Sequence, residues 1–369
     1  MIYFDYHAAS PLCEEARHAM QAYEGWANPS SVHGAGRQAR RALESARDLV
    51  AGCLGAAAPD VVLTAGGTEA CNLAILGASK PVKRIVCSQV EHPAVARAVD
   101  EWESRGADVS RLRPSDGAGP SVRELEEALV AGADLVVLQW VNHETGSVSP
   151  IEEYGQICAK AGVALVVDGT QALGRIPIDV SRLGVQALMM ASHKMGGPAG
   201  AGALWVHPSW PLEPQMRGGG QERGRRAGTP DVRAAVGFGA ACGALATRLE
   251  AMPRVTALRD RLEKALVRAG GVVNGASGAR VGSVTNCSFR GWRGELLVVA
   301  LDVEGLCASS GPACSAGIPE PSPTVSALYP TESWRAESAL RLSLGPETTE
   351  AEVTKALSIL ERVLPRGCA

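Results

Sequence analysis

Short runs of apolar, β-favouring residues recur through the first half of this chain and alternate with helical stretches, and no other feature limits the fold so strongly. The runs are VVLT (61–64), RIVCS (84–88), DLVVLQW (134–140), ALVVD (164–168) and ALMMAS (187–192), the first three each followed by a helical segment. That alternation is the signature of an α/β fold. Strands as continuously apolar as 135–138 and 164–167 must be covered on both faces, which predicts a mostly parallel central sheet flanked by helices. After a loop at 217–228, helical stretches are expected over 231–249, linking two domains, and over 254–268. A strand near 281–289, a helix near 295–304, a small-residue loop at 305–323, a strand over 339–343 and a last helix over 349–363 then predict a smaller α+β domain. The expected division is a large domain at 13–245, with 1–12 and 246–369 forming the small one.

With 46% hydrophobic and 20% charged residues, the chain can bury a core of that size. Lys plus Arg (36) nearly balances Asp plus Glu (39), so no overall charge favours nucleic acid or anionic lipid. No apolar run approaches the roughly 18 residues of a membrane span, and the start, MIYFDYHAAS, lacks an export pattern. A cytoplasmic protein acting on small molecules and other proteins is expected. The ten cysteines form no CxxC pair, so no structural zinc is expected and most should be small buried hydrophobes.

Six lysines stand against thirty arginines, and one of the six, Lys194, follows a strand in Ala191-Ser192-His193-Lys194, at the sheet edge where open α/β folds bind ligands. Asp168 ends the strand ALVVD and falls at the same edge. A lysine that forms an imine and a carboxylate that keeps a pyridine nitrogen protonated are what pyridoxal phosphate requires. The plainer readings are a surface lysine at a turn and a helix N-cap. His92 follows RIVCSQVE and is suited to lie over a flat ring; Asn142 and His143 follow another strand in VNHETG. Gly67 and Thr68, in AGGTE between strand and helix, suit a phosphate at a helix N-terminus, or a simple tight turn. The GxGxxA at 34–39 follows no apolar strand and is not a dinucleotide fingerprint. Cys314 is the exceptional cysteine, because the small-residue loop SSGPACSAG offers nothing large to bury it; a thiolate there can attack an electrophilic sulfur. Cys307 keeps the structural reading. Arg341, inside the strand ALRLS, needs a partner: a substrate carboxylate or an internal Asp or Glu.

Ten ordered segments tie these residues together: YFDYHAASP, NPSSVHGAGRQAR, TAGGTEACNLAI, VEHPAV, VNHETGSVSPI, VVDGTQALGRIPIDV, ASHKMGGPAGAGALWV, GGGQERGRRAGTPDV, SSGPACSAGIPEPSPTV and LRLSLGPETTEAEV. In order and spacing the chain resembles, over essentially its whole length, the cysteine desulfurases of the class V, fold-type I pyridoxal-phosphate enzymes. The resemblance implies that Lys194 holds the cofactor as an imine, Asp168 pairs with the ring nitrogen, His92 stacks on the ring and shuttles protons, and Gln171 reaches the phenolic oxygen. Gly67, Thr68, Ser192 and His193 would surround the phosphate, with Thr229 reaching across from a partner subunit, so that a homodimer carries two composite sites. Asn142 and His143 would lie against the cofactor, while Arg341, Asn28 and His143 would hold the substrate. Cys314, in the longer ACxxxxxEPS form of the family's loop, would take sulfur from L-cysteine as a persulfide, leave L-alanine and pass the sulfur to acceptor or scaffold proteins, as in iron–sulfur assembly. It is also a candidate ligand for a transient iron–sulfur cluster; no other metal site is implied. This chain departs from the family at two places: His143 stands where VNNE has a second Asn, and Ala191 replaces the serine of SGHK or SAHK, with Ser192 following. An aminotransferase or β-lyase of the same fold, or a weakened cofactor-binding scaffold, are the rival readings.

Overall fold

The computed structural model describes residues 1–79, 81–115, 119–311 and 320–364. The chain opens with β1 (Ile2–Tyr3) and then builds a seven-stranded sheet from β2 (Val61–Thr64), β3 (Arg84–Ser88), β4 (Asp108–Leu112), β5 (Leu135–Gln139), β6 (Ala164–Asp168), β7 (Ala187–Ala191) and β8 (Gly202–Val206). The order is β2-β8-β7-β6-β5-β3-β4. All neighbouring pairs are parallel except those made by β8, which runs against both β7 and β2. The mostly parallel sheet was legible in the apolar runs. The strands β4, half-buried at one edge, and β8, hidden behind a glycine-rich turn, were not.

Alternate residues of each central strand feed two separate cores. Val86, Val136, Leu138, Leu165, Val167, Leu188 and Met190 face one, closed by helices that include Gly34–Gly52, Ile151–Ala161 and Val232–Gly243. Ile85, Cys87, Leu135, Val137, Val166 and Met189 face the other, closed by helices Gly67–Leu76 and Pro93–Ser104. The period of two along a strand places successive side chains on opposite faces, so each strand contributes to both layers. Because six strands run in one direction, all of their carboxyl ends lie along one edge. The strand order reverses between β3 and β5, the switch point at which open α/β sheets leave a crevice.

The helix expected over 231–249 is two, Val232–Gly243 and Leu245–Glu250, broken at Ala244 where ψ turns to 6°. Beyond helix Met252–Arg268 comes a three-stranded antiparallel sheet of β9 (Val272–Val273), β10 (Val284–Ser288) and, after the short β11 (Leu306–Cys307), β12 (Ala339–Ser343). The loop expected over 305–323 therefore begins with a strand: β11 pairs in parallel with β1. Ile2 and Phe4 belong to the apolar core of this second region, together with Leu258, Leu297, Leu342 and Ile359. The N-terminus thus folds with the C-terminal part and brings residues 5–10 past the carboxyl edge of the large sheet. Among the described residues no helix is long and apolar enough to cross a membrane.

Candidate active site

A cavity opens where the carboxyl ends of β3, β5, β6 and β7 meet the start of helix Gly67–Leu76. Gly67, Thr68, Cys71, His92, Gln139, His143, Asp168, Gln171, His193 and Lys194 all line it. Most of the expected site residues, from segments up to 127 positions apart, are thereby brought to one wall.

Lys194 ends the short turn Ser192–Lys194 after β7. Its Nζ donates to the backbone oxygens of His7 (2.8 Å) and Ala8 (2.9 Å). Asp168 terminates β6, is 7% exposed, and accepts from Thr170 N at 2.9 Å. Gln171 donates to His7 O at 2.9 Å, while its Oε1 is buried with no hydrogen-bond partner among the described residues. His92 is the N-cap of helix Pro93–Ser104, its Nδ1 accepting from Ala94 N at 3.1 Å, so the neutral ring carries its proton on Nε2. Burial lowers the His92 pKa and Lys194 adds to that, against the upward pull of Asp168. Burial also brings His193 down to about 4, with Lys194 and His92 contributing.

At the Thr68 end, the first N–H groups of helix Gly67–Leu76 are free of intrahelical partners, the usual setting for an anion. Gly67 lies so close to the sheet that a Cβ there would stand 3.1 Å from that of Ala191 and 3.4 Å from Thr170 Oγ1. Glycine keeps this cradle open.

Several expected residues lie elsewhere. Asn142 is fully buried and off the cavity wall; its Oδ1 accepts from Glu144 N, Thr145 N (both 2.9 Å) and Thr145 Oγ1, so it holds its own turn together. Ser192 also misses the wall: its buried Oγ faces Gly197, where a Cβ would come within 2.0 Å. Asn28 is exposed, with Oδ1 on Ser30 N at 2.9 Å. Arg341 has the internal partner: Nη2 meets Asp5 Oδ1 at 2.7 Å and Nη1 donates to His143 O at 3.0 Å, leaving Nε unpartnered among the described residues. It stands behind His143 and is not on the cavity wall. Thr229 borders a separate cleft with Thr64, Gly200 and Arg226.

Cys314 lies outside the described residues. Both flanks of its segment converge on Glu144: Ser322 Oγ donates to Glu144 Oε2 at 2.5 Å, and a Cβ on Gly311 would stand 3.8 Å from the same oxygen. Of the other cysteines, Cys71, Cys87, Cys158 and Cys287 are buried, and burial raises their thiol pKa values, to about 12 for the last three. Cys307 is raised as well, by burial and then by Asp302.

The site also contains residues that side-chain chemistry did not announce. Residues 5–10 strap its floor: His7 O takes both Lys194 and Gln171, and Ser10 donates to the carbonyls of His193 (N, 2.8 Å) and Lys194 (Oγ, 2.9 Å). Backbone acceptors leave no mark in a sequence. Glu91 is buried beside Asp168, and burial followed by that neighbouring charge pushes its carboxyl well above the usual range. Arg175 is buried too, lowered to about 9 by burial, Arg248 and Arg341, and binds Gln171 O and Tyr6 O.

A primary amine, a carboxylate, an orphaned amide oxygen and an open helix N-terminus on one wall fit a phosphorylated pyridine aldehyde. The chain belongs to the class-V aminotransferase family, whose model (Aminotransferase class-V) matches residues 2–356. Within that family it groups with the cysteine desulfurases. It is 40% identical to the IscS-like cysteine desulfurase of Mycobacterium tuberculosis, over 100% of this chain and 97% of that protein. It is 37% identical to the cysteine desulfurase of Trichormus azollae, over 99% and 93%. Among solved structures, a NifS-like protein superposes with a TM-score of 0.90 at 27% identity, covering 98% of this chain and 99% of that one. SspA, solved in complex with cysteine, superposes at 0.82 and 29%, covering 95% and 100%.

Proposed function

We propose that this chain is a pyridoxal-phosphate-dependent cysteine desulfurase that converts L-cysteine to L-alanine and collects the sulfur on Cys314. The observation that carries the reading is the presence of Lys194 and Asp168 on the wall of one cavity at the carboxyl edge of the sheet, in a chain whose relatives over its full length are cysteine desulfurases. Bound there, the cofactor supplies an electron sink through its protonated ring, attached covalently at Lys194.

The chain's residues divide the rest of the work. Asp168 keeps the pyridine nitrogen protonated, and Gln171 Oε1 and His92 position the ring. Gly67, Thr68 and His193 receive the phosphate. Asn142 supports this wall from behind, by fixing the turn that carries His143. Lys194 Nζ would remove the Cα proton of the substrate. Arg341 exchanges Asp5 for the substrate carboxylate, and Asn28 joins it in holding that group. Cys314 Sγ then attacks the substrate sulfur: the Cβ–S bond breaks, an S–S bond forms, and alanine leaves behind a persulfide. The exposed position of Thr229, away from its own subunit's cavity, supports its service to a second copy in a homodimer. Acceptor proteins in the cytoplasm would then draw the sulfur from Cys314.

We also propose the domain division 13–245 against 1–12 plus 246–369. It is supported by the cores: Cys13 and Leu245 pack with the large sheet, Ile2, Phe4 and Val255 with the small one.

The test is to supply L-cysteine to the holoprotein and assay alanine against pyruvate. Alanine with sulfide in the presence of a thiol reductant supports the desulfurase; pyruvate with ammonia indicates a β-lyase. Cys314→Ala should keep the yellow cofactor and lose sulfide release.

A further inference from the structure

His143 stands where the family pattern VNNE has a second Asn, and its surroundings are unusual for a histidine. The ring is 6% exposed and lines the cavity. Neither Nδ1 nor Nε2 has a hydrogen-bond partner among the described residues. Leaving a buried donor and acceptor unmade costs about 1–3 kcal/mol each, so a polar group arriving in the cavity is the natural partner. The residue's main chain is anchored where it stands. Its backbone oxygen is held by Arg341 Nη1 at 3.0 Å and by His7 Nδ1 at 3.3 Å, and the ring of His92 stands edge-on at 5.2 Å and 79°.

The neighbouring groups show what the ring can do. An amino acid in solution at neutral pH carries an ammonium, which must lose a proton before its nitrogen can react as a nucleophile. His92 has already used its Nδ1 lone pair on Ala94 N. The His7 ring is engaged on both sides, by His143 O and by Ser283 Oγ at 3.2 Å. His143 alone among these three rings keeps an uncommitted lone pair. The charged and titratable groups around it are His92 at the start of its helix, Arg341 on β12, Lys194 after β7, His7 on the N-terminal strap and the adjacent Glu144, whose Oε1 is 3.7 Å from Nε2. Burial, then His92, Arg341 and Lys194, hold the ring well below its ordinary pKa, so the resting ring is neutral and takes a proton only with the help of a nearby negative charge. Asp5 already pairs with Arg341, and Glu144 is in place to stabilise a charged ring.

We propose that His143 is the base that takes the ammonium proton of the incoming amino acid, an inference that rests on reading this cavity as an amino-acid site. One ammonium N–H bond breaks, its electron pair stays on the amine, and one N–H bond forms on the imidazole; nothing is oxidised or reduced. The proton returns to the amine of the product as it leaves. An asparagine, as in the family pattern, can hydrogen-bond at this place but cannot accept the proton.

The test uses L-alanine, the product, as a probe that binds without sulfur transfer. Wild type, His143→Asn and His143→Gln holoproteins are mixed with it, and the rate of change of the cofactor absorbance is followed from neutral to alkaline pH. At neutral pH both variants should associate roughly 10²-fold more slowly, the lower end of what a positioned base contributes. The deficit should vanish as pH rises through the amine's own pKa, and kcat/KM for cysteine should fall while kcat is retained. Variants whose association rates match wild type at every pH would overturn the role of His143 while leaving the desulfurase reading intact. A wild-type protein with no cofactor absorbance would sink both.

Discussion

Arg341 Nη2 lies 2.7 Å from Asp5 Oδ1, an ion pair that joins the N-terminal strap to a strand laid down more than 330 residues later. Arg341 is 2% exposed and sits among apolar strand neighbours, so Asp5 supplies the carboxylate that lets a guanidinium be buried there. Asp5→Asn removes the charge but keeps the shape. It should lower stability by about 1–3 kcal/mol, the range for a charge-assisted hydrogen bond. Urea midpoints of the two proteins check this; equal midpoints would show that the pair contributes nothing.

A second buried pair fixes the loop that presents Thr229. Arg47 Nη1 meets Glu222 Oε2 at 2.5 Å with both side chains 2% exposed, and Leu63 N donates to the same oxygen. Glu222 and Arg223 take φ of 48° and 57°, left-handed values that non-glycine residues adopt only under constraint. Glu222→Gln leaves Arg47 with the partly exposed Glu44 as its remaining carboxylate partner among the described residues and should cost about 1.5–3 kcal/mol. Chemical denaturation provides the measurement, and a loss below about 1 kcal/mol, of the order of an exposed pair, would contradict it.

Asp168→Asn keeps the hydrogen bond to Thr170 N within reach but removes the negative charge from the cavity wall. The cofactor should remain attached at Lys194 while kcat for alanine formation drops by roughly 10²–10³, the size of losing one preorganised electrostatic contact. Absorbance of the bound cofactor and steady-state assays separate attachment from turnover; a kcat within about twofold of wild type would remove Asp168 from the mechanism.

His7 is buried and held well below the ordinary histidine range, by burial first and then by Arg175 and Arg341. The unfolded imidazole takes up a proton near pH 6.5 and the native one does not. As pH falls below about 6.5 the unfolded state therefore binds more protons, and stability is lost until the native ring is protonated in turn; above that range the group has no effect. His7→Gln should flatten this acid limb. Urea midpoints for both proteins at neutral pH and at about pH 5 test it, and identical pH dependence would exclude His7 as a contributor.

Strand and site were unequally legible. β5, β6 and β7 could be read because apolar runs buried on both faces leave an unbroken signal, and their ends carried His143, Asp168 and Lys194 into one cavity. β8 could not, since Gly202–Val206 follows glycines whose role is contact: a Cβ on Gly202 would stand 2.6 Å from Gly66 C. Arg341 was recognised as needing a partner, a substrate carboxylate or an internal acid, but nothing in the sequence pointed to Asp5 so far away in the chain. Asn142 and Ser192 carry the right chemistry at the right place in the chain, yet local turns direct the one into its own backbone and the other toward Gly197. The strap at His7 acts through carbonyl oxygens, which every residue possesses.

The most direct measurement follows one sulfur atom. After a single turnover of the reconstituted protein with L-cysteine and no reductant, mass analysis of the peptide containing Cys314 should find one added sulfur, matched by an equal amount of alanine. Alanine without added sulfur on that peptide, or pyruvate in place of alanine, would contradict the account.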